Sequence, residues 1–348
     1  MPICAKGDSH IMQISPGRMM NRHDLMNDPI IWSLSNGKPG MENQCLGLIE
    51  ALGATPVIRR ISLAAPYAWL PPHICPATLS ALAPASDPLT PPWPDLLVAC
   101  GRITIAPARA VRRLSGGRTR LIQIQDPHAH RRDFDLIITP AHDRLRGTNV
   151  LNTIGSIHRL NDEKLRRRRE ETAPAYAGLP RPLIVVMAGG ANKVYSFGKD
   201  EITRLLSGLE QAVAASGGTV LATASRRTPP DCAALLQEGV NRMGGIFWDG
   251  SGDNPYPDWL AQGDHFIVSA DSVNMICEAA ATGRPVHVLE LPGRGGKFTR
   301  FHEQMRQRGV TRPFTGRLDS WQYEPVNENA RIAAEVRKRL GLSFPARK

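Results

Sequence analysis

The stretch SADSVNMICEAAATGRPVHVLEL, residues 269 to 291, decides the fold. Asp271 and Ser272 stand where a helix beginning near Val273 needs capping, and Gly283 marks where that helix has to stop. A strand is predicted on either side, His265 to Ser269 before it and Pro285 to Leu289 after it. Strand, helix, strand in so few residues requires a parallel pair with the helix packed over it, which puts the helix amino end at the carboxyl edge of the sheet. Amides at that end can face a phosphate, and Glu278, a turn and a half further on, can accept hydrogen bonds from the two hydroxyls of a ribose.

The same rhythm extends outward in both directions. Strands are predicted at Leu183 to Met187, Thr219 to Thr223 and Gly245 to Trp248, and helices at Asp200 to Ala215, Asp231 to Glu238, Pro257 to Ala261 and Phe298 to Arg308. An earlier series has strands at Ile30 to Leu34, Pro56 to Ile61, Asp95 to Ala99, Arg120 to Ile124 and Asp135 to Thr139. Its helices are Glu42 to Leu52, Ile103 to Leu114 and the charged Asp162 to Glu171. Between Pro56 and Asp95 the chain is so rich in Pro and Ala that residues 64 to 94 form an irregular, exposed insertion. The expected class is therefore α/β, two Rossmann-like parallel-sheet domains facing a cleft. Residues 29–172 make the first domain, 173–182 a Pro-rich linker, 183–325 the second domain, and 326–348 a last helix that packs back on the first domain. Residues 1–28 lack periodicity and read as a disordered tail or a mis-assigned start.

Composition narrows the function. Apolar residues make up 42% and charged residues 22% of 348 positions, which suits a globular chain. No run approaches the ~18 apolar residues of a membrane helix. Six cysteines without a C-x-x-C pair imply reduced, buried thiols and a cytoplasmic protein, peripheral at most at the inner face of a membrane. A net charge of +11, weighted to the first half, points to an anionic partner such as a phosphate or an anionic lipid surface. With aromatics at 5% and no basic and aromatic stripe, nucleic acid is disfavoured.

Four further strand-end loops carry chemistry. In LSNGKPGMENQCLGL, residues 34 to 48, Asn36, Gly37, Lys38, Gly40 and Gln44 offer a tight turn, a cation and amide groups that can hold an anionic or polyhydroxyl group, and Glu42 lies at the start of the next helix. VMAGGANKVYSFG, residues 186 to 198, places Gly189, Gly190, Asn192 and Lys193 where a diphosphate can sit. TASRRTPPD, residues 223 to 231, presents Ser225, Arg226 and Arg227, whose guanidinium forks suit phosphate oxygens. In QDPHAHRRD, residues 125 to 133, Asp126 and His128 are candidate bases. Their spacing fits no common metal pattern, and no metal or other cofactor is expected.

The form S-x-x-x-x-x-E-A-x-A-x-G-x-P-V resembles the donor-binding signature of GT-B glycosyltransferases. From about Ile31 to Leu340 the chain is similar to the mitochondrial fission ELM family. Its carrying motifs are Trp32 to Gln44, Gly189 to Lys193, Thr223 to Pro229 and Ser269 to Met275. The resemblance implies a GT-B-like fold and a nucleotide-sugar donor held by Ser225, Arg226, Ser272 and Glu278. Asn36 and Met41 stand where the family's usual D-G-x-x-G-H form has Asp and His, which shifts any acid or base role to Glu42, Asp126 or His128. The expected function is sugar transfer from a nucleotide-sugar to an acceptor, with a lipid-linked or cell-envelope glycan as the acceptor class. A non-catalytic membrane-surface or scaffold role of the fission type is the alternative.

Overall fold

The computed structural model describes residues 29–293 and 295–342. The reading of residues 1–28 lies outside them. In the first half, β1 (Ile31–Ser35), β2 (Val57–Arg60), β3 (Leu96–Cys100), β4 (Arg120–Ile124), β5 (Leu136–Pro140) and β6 (Val150–Thr153) form one parallel sheet in the order β2-β1-β3-β4-β5-β6. In the second, β7 (Leu183–Ala188), β8 (Thr219–Ala224), β9 (Ile246–Trp248), β10 (His265–Ser269), β11 (Val286–Leu289) and β12 (Thr311–Pro313) form another, ordered β12-β11-β10-β7-β8-β9.

The four central strands are covered by helices on both faces: β1, β3, β7 and β10 are buried at every residue. Strand order reverses between β1 and β3 and between β7 and β10. Each reversal opens a crevice at the carboxyl edge, and these crevices are where a parallel sheet takes its ligand.

The helices are α1 (Pro39–Ala51), α2 (Ile105–Leu114), α3 (Asp162–Tyr176), α4 (Lys199–Ser216), α5 (Pro230–Arg242), α6 (Tyr256–Gln262), α7 (Val273–Ala280), α8 (Gly296–Gln307) and α9 (Asn329–Leu340). α1 starts three residues before its expected start, since Pro39 is already compatible with the first helical turn. α3 runs past Glu171 to Tyr176 and takes Pro174 into its last turn. Two strands escaped the sequence reading. β6 is only half-buried along VLNT, and β12 is a three-residue edge strand ending in proline.

α9 returns to the first sheet. Ile332, Ala333 and Val336 are buried with Ile31, Leu48 and Leu52, and the Arg337 guanidinium donates to the Ala51 carbonyl at 3.1 Å. Its amino end ties down the chain that leaves β6: Glu328 accepts from the Ile154 amide, and Asn329 donates to the His158 carbonyl. The same carbonyl lies against α1 so tightly that a Cβ on Gly47 would collide with it. Gly47→Ala is therefore expected to push α1 off this segment and lower stability by about 1–3 kcal/mol, read by denaturant unfolding with helical circular dichroism retained.

Candidate functional site

The site is built around the Asp271 carboxylate, which is fully buried at the β7/β10 switch point. It accepts from the Arg227 guanidinium at 2.6 Å, from the Ser269 hydroxyl at 2.6 Å and from the Gly190 amide at 3.1 Å. Ser269 in turn accepts from the Gly189 amide at 2.7 Å, and the Thr228 hydroxyl reaches the Gly189 carbonyl. The loops after β7, β8 and β10 are thereby knitted into one surface. Gly189 and Gly190 have to be glycine for this reason: a Cβ on the first would strike the Asp271 carboxylate, and on the second the Arg227 backbone. The cap of α7 is Ser272 alone, whose hydroxyl accepts from the Met275 amide.

Other predicted donor residues spread around this knot. Asn192 turns its carboxamide oxygen onto the amides of Val194 and Tyr195, shaping its own loop. Ser225 bonds Thr228 at 3.2 Å and accepts from the Arg227 amide. Lys193 and Arg226 are exposed. A cleft of about 590 Å³ opens beside the knot, lined by Arg227, Ser272, Asn274, Lys297 and Arg300 on one side and by Gln44, Asp126, His128 and His142 on the other.

On the facing side the loop after β4 is held in an uncommon shape. Gln125, His128 and His130 all have positive φ, at 74°, 60° and 52°, a costly arrangement for residues other than glycine. Asp126 anchors it by accepting from Arg131 at 2.9 Å and from the His128 amide at 2.8 Å. Burial alone would raise the Asp126 carboxyl, but the Arg131 and His128 bonds outweigh it and hold the group below its ordinary range. The exposed His128 ring stands with Nδ1 3.4 Å from the same carboxylate, and Arg131 favours the ionised form of Asp126. His142 lines the cleft nearby as a neutral ring, burial pushing its pKa down to about 4.

Glu42 has a different setting from the catalytic one expected of it. Arg60 grips its carboxylate through two nitrogens at 2.7 and 2.9 Å, and that pairing, against the opposing effect of burial, lowers its pKa. It ties α1 to β2. Asn36 accepts from the Lys38 amide and Gly37 takes φ +72°, so both serve the turn into α1, and Lys38 is exposed at its start. Met41 packs against Gly101, where a Cβ would meet its sulfur at 2.7 Å. Gly40 meets the other domain: its carbonyl accepts from Asn274 at 3.2 Å and from Gln44 at 2.8 Å.

Glu278 opens on a second cavity of about 740 Å³, shared with Asn43, Arg159, Lys164, Asn254 and Tyr256. The α1/α7 contact at Gly40 and Asn274 lies between the two cavities. Burial raises the Glu278 carboxyl to about 7, the Tyr256 hydroxyl donating to it at 2.5 Å. Sequence reading missed His142, Asn274, Lys297 and Arg300. The glycine-rich run before Lys297 carries the same signature as the loops that were singled out. Among the described residues no group of three or more His, Cys, Asp or Glu is arranged to hold a metal ion.

A family model described as mitochondrial fission ELM1 matches residues 39–340. The chain belongs to the mitochondrial fission ELM1 family. Mitochondrial fission protein ELM1 of Arabidopsis thaliana is 29% identical over 396 residues, covering 91% of this chain and 92% of the plant protein. Among solved structures, Methanocaldococcus jannaschii UDP-GlcNAc 2-epimerase in complex with UDP-GlcNAc and UDP superposes with a TM-score of 0.53 at 9% identity, over 90% of this chain and 99% of that one. The S. aureus MnaA and UDP co-structure gives 0.50 at 11% identity, over 92% and 100%. The ELM1-family fold is GT-B-like, two parallel-sheet domains facing a cleft.

Two consequences can be measured. Asp271→Ala strips the Gly190 amide and Ser269 hydroxyl of a buried partner, so a stability loss of roughly 1–3 kcal/mol is expected in denaturant unfolding. Glu278 has a folded pKa above its unfolded value of 4.5, so its contribution is fully present below about pH 4.5 and lost as pH rises through about 7. Glu278→Gln should then gain melting temperature relative to the parent across that window and hold a constant lead above it.

Proposed function

We propose that this chain transfers a sugar from a nucleotide-sugar to an acceptor hydroxyl, with a lipid-linked or cell-envelope glycan as the acceptor class. The observation that carries the reading is the pairing across one cleft of an imidazole, His128 beside Asp126, with a helix amino end flanked by Arg227. The UDP and UDP-GlcNAc named with the two solved neighbours support a nucleotide diphosphate as the ligand of such a fold.

The donor's diphosphate would rest at the start of α7 beside Arg227, with its nucleoside toward Glu278 and Tyr256. Bridging both cavities requires the Gly40 and Asn274 contact to part. The His128 imidazole takes the acceptor hydroxyl proton as that oxygen bonds the anomeric carbon. The bond from this carbon to the diphosphate breaks and its electron pair leaves with the diphosphate, whose charge Arg227 and the α7 amides offset. Lys297, 3.6 Å from Asp143, and Arg300, which donates to the His142 carbonyl, line the same cleft.

A binding or scaffold role is the second reading, favoured by the name of the plant relative, a fission protein. Product formation from UDP-, GDP-, CMP- and dTDP-sugars with envelope lipid extract decides between them. Transfer is expected with at least one donor. His128→Ala should lower turnover by about 10²–10⁴-fold while nucleotide affinity by calorimetry stays unchanged. Nucleotide binding without product from any pair overturns the transferase in favour of the binding protein, and a C2 epimer of the free donor would make it an isomerase.

A further inference from the structure

At the edge of the second sheet away from the cleft, a cavity of about 810 Å³ opens where β10 and β11 begin. It is lined by His265, the first residue of β10, by the turn of residues 282–285 ahead of β11, by Arg169 of α3 and by the segment of residues 320–325 that leads to α9. These walls are fixed to one another. The Tyr323 hydroxyl donates to the Arg284 carbonyl at 2.6 Å, and a Cβ on Gly283 would meet Pro325 at 3.2 Å. The Arg312 guanidinium lies 4.4 Å from the centre of the Trp321 ring, and the His287 ring meets that indole edge-on at 5.0 Å. His287 in turn bonds the buried His265 at 3.4 Å.

Most cations around this end of α3 have a carboxylate. Arg166 and Arg167 pair with Glu170 and Glu171 along the helix, and Arg168 pairs with Asp258 of α6. Arg181 of the linker pairs with Asp264 at 2.6 Å, and the Leu183 amide donates to the same carboxylate at 2.8 Å. Two arginines that line the cavity differ. Arg169 is partly buried, its Nε donates to the Ala261 carbonyl at 2.7 Å, and no carboxylate among the described residues pairs with it. The Arg284 guanidinium is exposed and has neither an ion pair nor a hydrogen bond among the described residues. Burial lowers the pKa of Arg169, and the charge of Arg284 acts in the same direction, ahead of the opposing Asp264. Two like charges are thus held within each other's field beside a carboxylate that Arg181 already occupies, a repulsion that one anion between them would relieve.

We propose that this cavity binds a small phosphate-bearing molecule, its phosphate group between Arg169 and Arg284. A guanidinium fork matches phosphate oxygens two at a time, and the volume falls within the roughly 300–1,000 Å³ of small-molecule sites. The site is separate from the cleft, which lies at the carboxyl edge of the same sheet. α3 leads into the linker and residues 320–325 lead to α9, so a ligand here touches both stretches of chain that join the domains. The proposal rests on no step of the transfer reaction.

The test is NMR of the isotope-labelled full chain, read at the indole N–H signals. The chain has six tryptophans; Trp321 lines this cavity, and none lines the cleft among the described residues. The Trp321 signal is assigned by its loss in Trp321→Phe. Inorganic phosphate and glycerol phosphate are expected to move it saturably at constant ionic strength, with chloride leaving it in place. Arg284→Ala should raise the midpoint about tenfold, and Arg284→Lys less, with melting temperature in the absence of phosphate unchanged. No saturable shift with either phosphate, an equal shift with chloride, or the parent's midpoint in Arg284→Ala overturns the proposal. Sedimentation with phosphatidic acid vesicles identifies the source: pelleting that Arg284→Ala abolishes assigns the phosphate to a lipid headgroup, and no pelleting assigns it to a soluble molecule.

Discussion

A carboxylate without water cannot stay charged unless it is surrounded by donors, and Asp271 is the group on which this constraint falls. Its donors come from three different strand ends: Arg227 after β8, Gly190 after β7 and Ser269 at the end of β10. Satisfying one buried charge therefore fixes three loops against each other. It also fixes the start of α7, since Ser272 follows Asp271 directly and caps that helix. The surface at the second switch point is rigid before any ligand arrives, and Arg227 is held at the rim of the cleft by the ion pair that completes the knot.

The facing wall is positioned by different means. α9 crosses to the first sheet and clamps the chain that leaves β6 through Glu328, Asn329 and Arg331, the last donating to the Asn152 carbonyl at 2.8 Å. Just beyond, Gly155 lies against the Cys277 sulfur on α7, so the crossing chain touches the helix whose amino end faces the cleft. The width of the cleft thus rests on packing at its floor. The Gly40 and Asn274 hydrogen bond is a lighter contact, a polar link between α1 and α7.

The rhythm of strands and helices was legible because buried parallel strands are continuous apolar runs and their helices begin and end at glycine, proline and capping residues. Residues 269 to 291 carried every one of these signals. β12 did not, being an edge strand with little to bury. Site roles were less legible wherever they depended on distant partners. Asp271 reads locally as a helix cap because Ser272 and the helix follow it, and its bonds to residues 44 and 81 positions away are invisible in sequence. Glu42 reads as an unassigned carboxylate at a helix start, and only the return of β2 shows that Arg60 occupies it. Gly189 and Gly190 were legible as glycines that matter, but the near neighbours that demand them are the Asp271 carboxylate for the first and the Arg227 backbone for the second.

Met41 shows how an apolar side chain serves the entry to α1. Its thioether fills the space over Gly101, a glycine with φ +94°, and packs beside the core of the first sheet. A polar base at that position would have to find a partner among apolar neighbours, whereas a methionine needs none. Asn36 makes the turn that an aspartate would make, since either side-chain oxygen can accept the Lys38 amide. Neither side chain brings a titratable group to the entry to α1. On the reading proposed here the proton-accepting role then rests with the loop after β4, where three residues at positive φ cost stability that a passive connection would have no reason to carry. What holds that loop in shape is the bond from Arg131 to Asp126, and the same carboxylate accepts the amide of His128, whose ring lines the cleft.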